Sequence, residues 1–435
     1  MELLAPAGGM EQLRAAVRFG ADAVYLAADR FGMRARAANF QMEEIPAAVA
    51  FAHEHGVKVH VTCNILMHPD DIDGLPAFFR ALDAAGVDAF IIGDLGAFAV
   101  AGEVAPRVER HVSTQASVAN AAAARVWHSL GASRVVCARE MSLADIARLR
   151  QDAPPDLEIE TFAHGAMCMA VSGRCLISSY LTGRSGNKGH CTQPCRWSYQ
   201  LEEEKRPGEF FPIEEDDRGA FIMNAKDLNM LAHLRALADA GVDSIKIEGR
   251  NKKAFYVATV VGAYRRVLDG GPPDEVADEL LAVSHRPYGT GFYFSEAEQA
   301  PAYDGYEQET MHIADIVADD PHYLYLLCRN RFAEGDELEV LAPHEPSRRL
   351  IVRDLHWLNT FGPDNHDEDA PATVEEALTR ATPADWEVAA VANRSCNLYR
   401  ILVEGGACGG APAAHVPEGS FLRKRTFRRS ARHGS

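Results

Sequence analysis

AGVDAFII, residues 85–92, reads as the end of a helix, a glycine turn and the start of an apolar strand. The same device returns as FGADAVYL (19–26), LGASRVV (130–136) and AGVDSIKI (240–247). Between such points lie amphipathic stretches. In residues 10–19, Leu13, Ala16 and Val17 fall on one face, and 43–55 and 75–85 behave alike. Strands are predicted at 3–5, 23–27, 58–63, 89–93, 110–114, 134–138, 158–162 and 244–247. Strand–helix units repeated in one run predict an α/β fold, a (β/α)8 TIM-like barrel over residues 1–270. An open doubly wound sheet is the alternative, but no GxGxxG follows the first strand.

In such a barrel, chemistry gathers where strands end and the following loops begin. Those positions hold Thr62, Cys63 and Asn64, then Asp94, Ser113 to Gln115, Arg139 and Glu140, His164, and finally Lys246, Glu248 and Arg250. Each taken singly reads as a cap or a satisfied core polar group. Their convergence on one mouth reads as a site.

The loop after the seventh strand is unusual. HGAMCMAVSGRCLISSYLTGRSGNKGHCTQPCR (164–196) carries four of the nine cysteines, Cys168, Cys175, Cys191 and Cys195, in a C-x6-C-x15-C-x3-C spacing. Glycines, serines and an Asn-Lys-Gly turn surround them, and no long apolar run does. The segment cannot build a core of its own, and a metal centre on four thiolates would hold it. The spacing matches neither paired CxxC knuckles nor the ferredoxin runs, so it leaves iron–sulfur and zinc both open. Free redox thiols are the bland reading. The insertion spans 164–225, far longer than an ordinary loop, and its second half suggests a hairpin of 198–203 with 220–223. Cys63, Cys137 and Cys328 sit in apolar strand contexts and read as packed thiols.

Beyond residue 270 the barrel pattern stops. Residues 271–307 read as a connecting segment and 308–360 as a small C-terminal β-barrel. Residues 361–435 are poorly patterned, acidic and then basic. The last part, FLRKRTFRRSARH (421–433), carries six Lys/Arg interleaved with Phe421 and Phe427. It reads as a solvated tail or, more sharply, as an arm gripping RNA phosphate.

The net charge of −18 over 435 residues argues against a generally basic nucleic-acid surface. No apolar run is long enough for a membrane span, and no signal-peptide pattern opens the chain, so a cytoplasmic protein with reduced thiols and no membrane partner is expected. Protease motifs are absent. AHEHG (52–56) lacks the HExxH spacing, and there is neither GxSxG nor a Walker loop.

The stretches LLAPAG (3–8), RARAANF (34–40), STQAS (113–117), the cysteine block, RPGEF (206–210), FIMNAKDL (221–228), DSIKIEGR (243–250) and RNRFAEGDELEV (329–340) resemble the collagenase-like U-type peptidase family. Within it the likeness is to the prephenate-dependent branch that makes 5-hydroxyuridine at the tRNA wobble position. The resemblance implies that Cys168, Cys175, Cys191 and Cys195 bind a 4Fe–4S cluster, with prephenate as co-substrate. It also implies tRNA as substrate and an electron donor or cluster-assembly proteins as partners. A dicarboxylate calls for bidentate arginines, so Arg34, Arg36 and Arg250 are expected at the substrate, with Lys226 and Lys246 as point charges and Asn39 and Gln115 as polar contacts. Glu248 and His164 are the proton-transfer candidates. A splayed wobble base would stack on Tyr25, Phe31 or Phe40. Two other readings stay open: hydroxylation of a ubiquinone precursor or ribosomal RNA, and a non-catalytic zinc-stabilised RNA-binding protein.

Overall fold

A computed structural model of the chain describes residues 1–33, 39–168, 170–197, 200–202, 210–212, 225–297, 306–363, 365, 370–402 and 416–426. They divide into two units, 1–277 with 285–307 and 278–284 with 308–435.

The first unit is the expected barrel. Its strands are β1 Glu2–Pro6, β2 Ala23–Leu26, β3 Lys58–Cys63, β4 Ala89–Ile92, β5 Glu109–Val112, β6 Arg134–Val136, β7 Glu158–Ala166 and β8 Ser244–Ile247. Each pairs in parallel with the next, and β8 closes the ring on β1 through Leu3↔Ile245. Helices lie between the strands, from Met10–Arg18 after β1 to Ala254–Leu268 after β8. Apolar residues alone do not fill the ring. Glu2 on β1 reaches Arg134 on β6, strands that are not neighbours, so the pair crosses the barrel interior at 2.6 Å. Arg134 also binds Glu160 at 3.1 Å, and Glu160 holds Lys246 at 2.9 Å. His60 and His111 meet edge to face in the same interior, 4.8 Å between ring centres.

Three features depart from the sequence reading. β7 runs on to Ala166 rather than stopping at 162, because Asp227–Asn229 adds antiparallel to its end. The connecting segment is divided: 271–277 and 285–307 join the first unit and 278–284 the second. Tyr288–Gly289 pairs with Asp227–Leu228, and the buried Arg286 guanidinium binds Asp227 at 2.9 Å. The hairpin in the insertion pairs Gln200–Glu202 with Phe210–Pro212; the expected second strand at 220–223 lies outside the described residues.

Among the described residues, the main sheet of the second unit is an antiparallel half-barrel of eight strands. They are β9 Thr310–Asp319, β10 Tyr323–Cys328, β11 Glu337–Leu341, β12 Arg348–Ile351, β13 His356–Leu358, β14 Trp386–Val388, β15 Leu398–Leu402 and β16 Phe421–Arg425. The sheet order is β12-β11-β16-β9-β10-β15-β13-β14. β16 thus lies inside the sheet between β11 and β9, so the first part of the basic stretch is neither a tail nor an arm. Its charges are taken up internally. Arg423 is fully buried against Glu279 and Glu339, Lys424 binds Asp336, and Arg425 binds Glu339. Residues 427–433, the rest of that stretch, lie outside the described residues. Among the described residues no helix is long and apolar enough to cross a membrane.

Candidate functional site

The strand ends of the barrel open into a cavity of about 1240 Å³, measured out to its mouth. Its floor comes from β8, where Lys246, Glu248 and Arg250 all line it, as do Tyr25, Thr62, Gln115, Arg139 and Phe162 from other strand ends. Its opposite wall is the cysteine excursion. Cys168, Cys175, Cys191 and Cys195 all border this one cavity. None is in a disulfide.

The excursion has little apolar packing and is tied down by polar anchors. The Glu140 carboxylate accepts from the Ser172 amide at 2.7 Å and its hydroxyl at 3.0 Å. That clasp holds Ser172 at a left-handed φ of 44° between the first two cysteines. The Leu66 amide donates to the Asn187 carbonyl at 2.9 Å, and Lys188 binds Asp71. Within the loop the Cys175 amide donates to Asn187 Oδ1 at 3.1 Å, and the Gln193 amide donates to Cys191 Sγ at 3.3 Å. An amide aimed at a thiolate sulfur is the kind of contact that tunes a metal-bound thiolate.

Four cysteines bordering one cavity, none in a disulfide and one with an amide directed at its sulfur, fit a thiolate-ligated group. Among the described residues no three His, Cys, Asp or Glu side chains are gathered tightly enough to hold a metal ion.

On the floor, side chains constrain one another. Tyr25 donates to the Ile247 carbonyl at 3.0 Å and stands 3.3 Å from Glu248 Oε2. Arg250, nearly buried, donates to Thr62 Oγ1 at 2.9 Å. The Lys246 ammonium sits 4.5 Å from the Tyr25 ring centre, held from beneath by Glu160. Arg139 lies flat on Phe162, 3.8 Å from its ring centre, and donates to the Ala166 carbonyl at 3.1 Å. Gln115 accepts from Asn64 at 3.2 Å. Two glycines make the backbone approach possible. A Cβ on Gly165, at φ 104°, would stand 2.5 Å from the Glu248 carbonyl, and one on Gly8 would stand 2.0 Å from that of Arg250.

The structure thus brings Gln115, Lys246, Glu248, Arg250 and the four cysteines together. Arg34 and Arg36 lie outside the described residues. Asn39 and Lys226 are described but do not line the cavity; Lys226 packs its stem near Gly289. His164 is not on the cavity wall either. β7 carries it past the expected strand end into a buried cluster, with its ring 5.5 Å from Tyr264 and 5.4 Å from Tyr288. Phe31 and Phe40 are buried away from the cavity, whereas Tyr25 borders it. Arg139 stood at the predicted mouth but was not assigned to substrate. The further signal for it was a cation directly at a strand end.

Burial pushes His164 down to about 3, and the attraction of Asp227 does not offset it. A depressed folded pKa gives stability that is whole above the unfolded value near 6.5 and drains as pH falls toward 3. Each pH unit in that window costs about 1.4 kcal/mol. His164→Asn should therefore flatten the fall in urea midpoint between pH 7 and pH 5 by about 2 kcal/mol of stability. An unchanged slope would mean that the folded pKa of His164 stays near its unfolded value.

A closed parallel barrel with a cysteine-lined cavity at its strand ends places the chain in the class of (β/α)8 proteins. The model of Peptidase family U32 matches residues 8–302, and the chain belongs to that family. It is 39% identical over 359 residues to tRNA hydroxylation protein P1 of Bacillus subtilis (strain 168), covering 79% of this chain and 83% of that protein. It is 33% identical over 393 residues to tRNA hydroxylation protein P of Escherichia coli (strain K12), covering 79% and 86%. Against the 23S rRNA 5-hydroxycytidine C2501 synthase of Escherichia coli (strain K12) the identity is 34% over 360 residues, covering 79% of this chain and 53% of that protein.

Proposed function

We propose that this chain is an RNA-modifying hydroxylase that converts the wobble uridine of tRNA to 5-hydroxyuridine, dependent on prephenate and on a 4Fe–4S cluster. The observation that carries the reading is the single cavity shared by Cys168, Cys175, Cys191 and Cys195 with Lys246, Glu248 and Arg250. The names of the relatives point the same way.

The four cysteines would hold the cluster. Each thiolate would bind a different iron of the cluster. When bound, the cluster supplies electron transfer or an open iron, which side chains cannot. The chain's own residues do the rest. Arg139 and Arg250 line the cavity with Lys246, itself paired to Glu160, and guanidinium groups there suit a dicarboxylate such as prephenate. Glu248, fixed beside the Tyr25 hydroxyl, is placed to move a proton. Phe162, Ile91 and Met167 line the cavity with apolar surface that limits water. An electron-donor protein and the cluster-assembly machinery would be the protein partners.

Mass spectrometry of tRNA and rRNA nucleosides from cells lacking the chain tests the reading. Loss of 5-hydroxyuridine derivatives from tRNA, restored by the intact gene, supports it. Unchanged tRNA with loss of an rRNA hydroxycytidine would move the substrate to rRNA. Arg250→Ala should fail to restore the nucleoside while the anaerobically purified protein keeps its visible absorbance; loss of both would give Arg250 a structural role instead.

A further inference from the structure

The cysteine excursion has an inner and an outer face. Cys175 and Ile177 border the cavity. Within the short helix Ile177–Thr182, Tyr180 and Leu181 turn outward, 84% and 51% exposed. Leu176 at the helix start is 59% exposed, and Trp197 just past the last cysteine is 47% exposed. Scattered exposed apolar residues mean nothing singly. These sit on one excursion, and two are aromatic.

Charge supplies the second observation. From His164 to Trp197 there is no Asp or Glu, while Arg174, Arg184, Lys188 and Arg196 are all basic, on a chain whose net charge is −18. Arg174 and Arg184 are exposed. A protein partner would be met as readily by mixed charge. A segment purged of carboxylates and studded with rings and guanidinium groups is complementary to a single-stranded polyanion with aromatic bases.

We infer that the outer face of the excursion, centred on Tyr180 and Trp197 with Arg174 and Arg184, is the docking platform for the RNA loop whose target base enters the cavity. This rests on the RNA reading above and adds where the substrate sits. A base withdrawn from a loop into a pocket leaves its neighbours' faces unstacked. Tyr180 lies one helical turn from Ile177 on the cavity wall, within reach of a nucleotide next to the withdrawn one. The excursion then has two tasks: thiols lining the cavity, and exposed rings at its rim for the neighbouring bases.

The test uses the full-length, anaerobically purified protein and a fluorescein-labelled anticodon stem-loop transcript with uridine at the wobble position, read by anisotropy. Tyr180→Ala should weaken binding about tenfold or more, in line with the loss of one base–aromatic stack. Trp197→Ala should act in the same direction, and Tyr180→Phe should bind like wild type. Val126→Ser, at an exposed residue on the helix Ala121–Ser129, should change nothing. Equal RNA affinity of wild type, Tyr180→Ala and Trp197→Ala overturns the platform and leaves the hydroxylase reading intact. Equal affinity combined with loss of self-association in sedimentation also overturns it, and assigns the patch to a second copy of the chain. Wild type that binds no RNA overturns both readings at once.

Discussion

Anaerobically purified Cys191→Ser protein should come out pale, with iron and sulfide well below wild type and hydroxylation at background. Among the four proposed ligands Cys191 has well-defined surroundings: its sulfur accepts the Gln193 amide, and a Cβ added at Gly186 would stand 3.5 Å from the Cys191 Cβ. A serine oxygen is a poorer ligand for iron, and the backbone donor is then aimed at the wrong atom. The effect should extend to folding. The excursion is held by a few polar anchors and little apolar packing, so a bound group's affinity is also folding energy for this segment. Limited proteolysis should cut the variant between residues 164 and 197 while the barrel survives. The control is Cys63→Ala. Burial pushes that thiol far up, with Asp94 adding to it, and it packs inside β3 as a core side chain. That variant should keep its colour. If Cys191→Ser stays brown and active, the four-cysteine ligand set is wrong.

The excursion was legible because its message is local. Four cysteines among glycines, with no apolar periodicity, announce an externally held loop wherever the chain places it. The barrel was legible for a similar reason: glycine turns and strand starts recur at helix–strand distance, and every expected strand appears within a few residues of its place. What escaped were positions decided by partners far off in sequence. His164 looked like a strand end, yet Asp227–Asn229 extends β7 and Tyr264 and Tyr288 bury the ring. The basic run beginning at Phe421 looked solvated because its counter-charges, Glu279, Asp336 and Glu339, lie about 80 or more residues upstream. The barrel's interior charges were visible as letters, Arg134 in SRVV, Glu160 in EIETF and Lys246 in SIKI. A single strand does not say whether an inward charge meets water, substrate or another charge.

That interior network carries the other large effect: Glu160→Ala should cost about 3–5 kcal/mol at pH 7, the usual penalty for stripping buried charges of their partner. Glu160 is fully buried, 2.9 Å from the Lys246 ammonium and 3.1 Å from Arg134. Burial by itself would push its carboxyl up, but Lys246, Arg134 and His111 outweigh that and hold it below the ordinary range. A depressed carboxylate gives stability that is present above its unfolded pKa, about 4.3, and lost as pH falls through the folded value. The gap in urea midpoint between wild type and variant should therefore be widest near neutrality and close below about pH 4. The consequence reaches the cavity floor, because Glu160 fixes the position of Lys246 there. Freed from Glu160, its flexible stem gains rotamers and the ammonium no longer faces substrate in one place. Glu160→Gln separates the two effects. It keeps the size and an acceptor for Lys246 but removes the charge, so it should recover packing while leaving substrate KM raised. A wild-type midpoint at pH 7 in Glu160→Ala would mean that water, not the carboxylate, compensates Lys246 and Arg134 inside the barrel.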